Sequence, residues 1–274
     1  MANGAFTAFK NIMKKSSLPI VNMSEMGGIR YLHLGTEWVQ GSMLIDKPFE
    51  IELEYVQRMM VWLLFFDPLK IKKLHALQLG LGAGTVTKAC YKTLKMSTTV
   101  LEINPSVVAA CQHWFKLPPQ DKRLHIILGD AMKTLTNWEH STQEIRRLSA
   151  NSSSNFIDCA QVDLYDHEAA APVLDSADFY RAVRDVLSDE GIMTVNLFGR
   201  SSSFDKSLAQ ISAAFGEDAV WSFKPTKEGN TVILAQRMPA RPKRELLAAR
   251  AEQIEAAFSL PARKWLRLLK PLIK

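Results

Sequence analysis

From residue 74 onward the chain repeats one unit: an apolar run of strand length, a turn, then a segment of helical period. That alternation confines it to few architectures. The strand-like runs are Leu74–Leu79, Thr98–Leu101, Leu124–Leu128, Phe156–Val162 and Gly191–Leu197. Between them, Thr85–Leu94, Pro105–Phe115, Ala131–Thr136 and Ala177–Leu187 carry apolar residues at helical spacing. Strands that are apolar throughout have no side to offer water, so both faces need cover, which alternating helices supply to a parallel sheet. Two further strands, Ala219–Phe223 and Thr231–Gln236, follow a helix near Ser207–Phe215 and are joined by a hairpin-type connection, Lys224-Pro-Thr-Lys-Glu-Gly-Asn230. The expected fold class is α/β, a doubly wound Rossmann-like sheet with a terminal β-hairpin. The Ser/Asn-rich stretch Glu139–Asn155 is expected as a surface excursion.

Ahead of this body, Ile29–Leu34 and Trp38–Ile45 flank Gly35-Thr36-Glu37 and predict a hairpin, a small N-terminal β element within residues 1–50. Glu50–Phe66 changes to helical period through Leu53, Val56, Met59, Met60, Leu63 and Leu64, until Asp67-Pro68 stops it. The main domain spans 51–237, and 238–274 forms a basic helical tail. From Ala240 to Lys274 nine basic residues face three acidic ones, which accounts for the whole net charge of +6. Two helices are expected in the tail, Glu245–Leu260 and Ala262–Ile273, the second interrupted by Pro271, with apolar faces that dock on the chain's own sheet or a sister subunit rather than on a membrane. No apolar run approaches the roughly 20 residues of a bilayer span, and no signal-peptide core follows the early lysines. Cys90, Cys111 and Cys159 are far apart and form no C-x-x-C pair, so neither a disulfide framework nor a metal site is expected. These features predict a soluble cytoplasmic protein.

The chemistry-bearing residues fall at strand ends. Gly80, Gly82 and Gly84 sit in Leu79-Gly-Leu-Gly-Ala-Gly-Thr85, between a strand and a helix, where a tight backbone turn offers free amides to a ligand. The third glycine falls two residues after the second, which disfavours a nicotinamide dehydrogenase. Glu102 ends the second strand eighteen residues past Gly84, where a carboxylate accepts from both hydroxyls of a ribose. After the third strand, Gly129-Asp130-Ala131 either meets an adenine amino group through Asp130 or caps the next helix with it. The fourth strand leads into Asp163-Leu-Tyr-Asp166-His167. Two carboxylates three residues apart suit a cationic amine and its proton, and His167 is a bystander.

The order of Gln40, Tyr55-Val-Gln-Arg-Met-Met60, the glycine loop, Glu102-Ile-Asn104, Gly129-Asp-Ala131 and Asp163-Leu-Tyr-Asp166 resembles the spermidine synthase (polyamine aminopropyltransferase) family. The resemblance runs from about Gly28 to Arg237 and includes Asp178-Phe179-Tyr180 and Leu187-Ser-Asp-Glu-Gly191. It implies a sheet of the class I AdoMet-methyltransferase type, decarboxylated AdoMet as group donor, and no metal. It also implies an amine or polyamine acceptor such as putrescine, release of methylthioadenosine, and a homodimer. By the same resemblance, Glu102 takes the ribose, Asp130 and Ala131 the adenine, and the glycine loop the donor. Asp163 and Asp166 hold the attacking amine with Asp166 as its base, and Gln40 and Tyr55 line the pocket. The chain departs from the family at Ala83, where the family's loop carries an Asp facing the amino end of the donor, so AdoMet itself becomes admissible. His167 stands for a Pro, and Leu164-Tyr165 for small residues. The alternatives are an AdoMet-dependent methyltransferase and a non-catalytic nucleoside- or polyamine-binding protein. Nucleic-acid methylation is disfavoured by a charge-balanced body that lacks an Asn/Asp-Pro-Pro-aromatic motif.

Overall fold

Val100, Leu101, Ala160, Met193, Val195 and Ile233 are each no more than 1% exposed, as a sheet covered on both faces requires. A computed structural model of the chain describes residues 18–143, 156–165, 173–198 and 202–273. The chain begins there with β1 (Val21–Met26), β2 (Ile29–Leu34) and β3 (Val39–Leu44), paired antiparallel in that order. The expected hairpin is β2–β3. β1 adds an edge strand that sequence reading missed because five of its six residues are exposed, leaving no buried alternation to detect.

The main sheet contains β4 (His75–Leu79), β5 (Ser97–Glu102), β6 (Leu124–Leu128), β7 (Ile157–Val162), β8 (Leu187–Phe198), β9 (Val220–Ser222), β10 (Asn230–Gln236) and β11 (Lys270–Pro271). Among the described residues its order is β11-β9-β10-β8-β7-β4-β5-β6. Strands β4 to β8 run parallel, and β10, β9 and β11 close the edge antiparallel. From β4 the chain winds outward through β5 and β6, then returns to the other side of β4 for β7 and β8. The order therefore reverses between β4 and β7, and the crevice beyond their carboxyl ends is where such sheets bind ligands.

One face packs against Met59, Met60, Trp62, Leu64, Ile254 and Trp265, and the other against Phe179, Tyr180, Val183 and Ile211. The tail thus docks on the chain's own sheet. Its helix Arg244–Phe258 buries Leu247, Ala251 and Ile254, and helix Ala262–Leu268 buries Trp265. That second helix stops short of the expected Ile273. Lys270 precedes Pro271 and is steered to extended backbone, so the pair joins β9 as an edge strand instead. The helix expected over Glu50–Phe66 is also shorter: Glu54–Met59 is α-helical and Met60–Phe65 tightens to a 3-10 turn, with Met60–Leu64 all buried. Helix Ala177–Val186 ends one residue before β8, which starts four residues earlier than the apolar run suggested. Most of the 139–155 excursion lies outside the described residues, and among those described no helix is long and apolar enough to cross a membrane.

Candidate functional site

A cleft of about 720 Å3 opens over the carboxyl ends of β4, β5 and β7, walled by β3 and residues 52–59. The glycine loop forms its floor. At Gly80, φ is +90° and a Cβ would lie 2.4 Å from the Asp163 carbonyl oxygen, so only glycine lets the loop sit flush against the end of β7. The Asp163 amide donates to the Leu79 carbonyl at 3.0 Å, locking the two strand ends together. The roof is equally close: a Cβ on Gly41 would meet Ala83 Cβ and N at 2.8 Å, so β3 rests directly on the loop. Thr85 adds to this contact by donating Oγ1–H to the Ser42 carbonyl at 2.9 Å.

Glu102 is 7% exposed. Its Oε2 accepts from the Leu81 amide at 2.9 Å and its Oε1 from the Asn104 amide at 2.8 Å. Burial raises its pKa against the opposing pull of these backbone amides. The Ile103 amide also lies against this carboxylate and favours its charged form. Asn104 accepts from the Ser106 amide at 2.9 Å as cap of the following helix, which fixes the backbone next to Glu102.

Asp163 stands at the opposite wall. Asn196 Nδ2 donates to its Oδ1 at 3.0 Å and the Tyr55 hydroxyl to its Oδ2 at 3.2 Å. Asn196 is oriented in turn by Asn230 Nδ2 at 3.1 Å. Desolvation lifts the Asp163 pKa to about 6, while both hydrogen bonds pull the other way. Desolvation, then the Asp163 charge, drives the Tyr55 pKa well above its ordinary value, so at neutral pH it remains a phenol that donates.

Of the residues singled out from sequence, Gln40, Tyr55, Gly80, Gly82, Glu102 and Asp163 all line this one cleft. Gly84, Asp130 and Ala131 do not line it. Asp130 caps helix Ala131–Thr136, its Oδ1 accepting from the Lys133 amide at 2.8 Å. Asp166 and His167 lie outside the described residues.

Sequence reading missed Ser42, Glu52, Gln78, Gln161, Asn196 and Asn230. For Gln78, Gln161 and Asn196 a signal existed, since each is a polar residue flanked on both sides by apolar ones in a central strand. Gln78 and Gln161 are register partners across β4–β7, both 2% exposed, and Gln78 Nε2 and Gln161 Oε1 have no partner among the described residues. A buried amide left unpaired costs about 1–3 kcal/mol. The other end of Gln161 touches only sulfur, Cys90 Sγ at 3.7 Å and Met60 Sδ at 3.9 Å. Replacement Gln161→Met strands no partner and removes the orphaned carbonyl. The ligand-free variant is therefore expected to melt higher than the parent, by roughly 2–4 °C. Thermal unfolding checks this, and a lower melting temperature would refute it.

Six carboxylates line the cleft: Glu37, Glu52, Glu54, Glu102, Asp163 and Glu228. Among the described residues that line it there is no Lys, Arg or His, although the chain as a whole is net +6.

No protein-family model matches the chain. It is 31% identical over 258 residues to a polyamine aminopropyltransferase of Neisseria meningitidis serogroup B, covering 93% of this chain and 91% of the relative. A second such enzyme, of Chromobacterium violaceum, is 29% identical over 256 residues, covering 93% and 90%. Among solved structures, a probable spermidine synthase from Corynebacterium glutamicum superposes with a TM-score of 0.66 at 15% identity, covering 91% of each chain.

Proposed function

The chain belongs to the polyamine aminopropyltransferase family, a family of transferases, and from that premise we propose that it moves an aminopropyl group from decarboxylated AdoMet to a primary amine such as putrescine, releasing methylthioadenosine. The observation that carries this reading is the charge of the cleft, six carboxylates with no basic residue among the described lining. Decarboxylated AdoMet bears a sulfonium and an ammonium, and a diamine adds further positive charge. AdoMet would bring a carboxylate into a wall that offers it no cation.

In the proposed reaction the amine nitrogen attacks the methylene next to sulfur. The new C–N bond forms as the C–S bond breaks, its electron pair leaving on the thioether. The product ammonium then gives up a proton. The attack needs alignment and a neutral nitrogen, not a covalent intermediate. Glu102 anchors the ribose from one wall, the glycine loop supports the donor beneath, and Asp163 accepts an N–H of the amine from the other wall. Tyr55 and Asn196 hold that carboxylate in place, and Tyr55 also presents an aromatic face to an ammonium. Asp166 as the base, Asp130 and Ala131 on the adenine side, and a homodimeric assembly belong to the same proposal.

The test is incubation of the protein with decarboxylated AdoMet and putrescine, with mass detection of methylthioadenosine and the aminopropylated amine in equal amounts. A methylated amine formed from AdoMet, with no reaction of the decarboxylated donor, would replace this reading with methyl transfer. Ala83 is the feature that keeps the methyl-transfer reading worth testing. Binding of methylthioadenosine with neither product would leave a nucleoside-binding protein.

A further inference from the structure

The carboxylates of the cleft differ in what already holds them. Glu102 is engaged by two backbone amides, and Asp163 by Asn196 and Tyr55. Glu54 is neutralised by Arg58 Nη2 and Lys264 Nζ, each at 2.8 Å. Glu37 and Glu228 are exposed at the rim. Glu52 is the exception. It is half-buried, its Oε2 accepts only the Ser42 hydroxyl at 2.6 Å, and its Oε1 has no partner among the described residues. No cation pairs with it there.

Its position is set by the contact between β3 and the glycine loop. Gly41 abuts Ala83, the next residue Ser42 is tied through its carbonyl to Thr85, and the Ser42 hydroxyl reaches Glu52. A negative charge that no described group compensates therefore stands on the roof side of the loop, where the proposed reaction puts the sulfonium side chain of the donor. The free oxygen of Glu52 asks for an N–H donor.

We infer that Glu52, held by Ser42, binds the terminal ammonium of the donor's aminopropyl chain and repels the carboxylate that distinguishes AdoMet, so that it sets donor choice at a loop position occupied by Ala83. The inference rests on the aminopropyl-transfer reading. It makes Glu52 a specificity residue: charge selects the decarboxylated donor by attraction, and counts against AdoMet by repulsion.

The experiment is calorimetric titration of the parent and of Glu52→Gln with decarboxylated AdoMet, AdoMet and methylthioadenosine. The parent is expected to favour the decarboxylated donor over AdoMet by tenfold or more. Glu52→Gln is expected to cut that ratio about tenfold while binding methylthioadenosine, which lacks the aminopropyl chain, as the parent does. With saturating donor its kcat should stay within about threefold of the parent, the loss appearing in KM for the donor. An unchanged donor ratio in the variant overturns the inference and leaves the family reading standing. A fall in methylthioadenosine binding overturns it as well, since Glu52 would then be supporting the loop. A parent that itself prefers AdoMet sinks the aminopropyl-transfer reading, and the inference with it.

Discussion

Asp163→Asn is expected to lower kcat/KM for the amine by roughly 10²–10³-fold, because it removes a buried charge-assisted hydrogen bond to a cation while keeping the side chain's shape. Asn retains an oxygen to accept from Asn196 and can donate to the Tyr55 oxygen, so the surrounding network survives. The same substitution should remove a pH dependence of stability. A folded pKa of about 6 against the ordinary 3.8 means that between those values the native carboxyl still holds a proton that the unfolded chain has lost. Stability contributed by this group is therefore highest below pH 3.8 and falls as pH rises through 6, by up to roughly 3 kcal/mol. Asp163→Asn should flatten that decline and melt above the parent at pH 7. Binding of putrescine to the parent should weaken below pH 6, as the carboxyl takes up its proton, whereas in the variant it should be weak at every pH. Turnover of Asp163→Asn at the parental rate would remove Asp163 from the chemistry, and a melting temperature that tracks the parent at all pH values would remove the linkage.

The parts of the site legible in the sequence were those fixed by local geometry. A strand, a glycine turn, a helix and a second strand have set lengths, so eighteen residues after Gly84 suffice to bring Glu102 back beside Leu81. Asp163 was legible for a similar reason: it ends an apolar strand of a parallel sheet, and ligands sit at that end. Asn196 was not, because its meeting with Asp163 depends on β8 pairing with β7 across 33 residues of chain. Glu52 carries no local pattern at all. A Glu between β3 and a helix reads as an exposed loop residue until the packing of Gly41 on Ala83 places Ser42 over the loop. The tail's docking was readable from its apolar stripe and the break of its second helix from Pro271, but the strand that follows was not. The strand role of Lys270–Pro271 exists only because β9 presents an open edge to it. Asp130 shows the converse case, a residue whose capping geometry is complete without any ligand.

Glu102→Ala should abolish nucleoside binding, raising the Kd for methylthioadenosine by about 10²–10⁴-fold. Two hydrogen bonds from the ribose hydroxyls to an ionised carboxylate contribute roughly 1.5–3 kcal/mol each. Part of any loss in this variant comes from the amides of Leu81 and Asn104, which the carboxylate now satisfies and alanine leaves bare. A 3′-deoxy analogue of methylthioadenosine separates the two contributions. If Glu102 grips the diol, the parent should lose at least tenfold in affinity on going to the deoxy analogue, and Glu102→Gln should lose much less on the same change, because its one remaining acceptor is no longer charged. If Glu102 merely braces the loop, the two proteins should pay the same penalty for the missing hydroxyl. Equal penalties would move the ribose elsewhere in the cleft and return Glu102 to a purely structural part in the turn after β4.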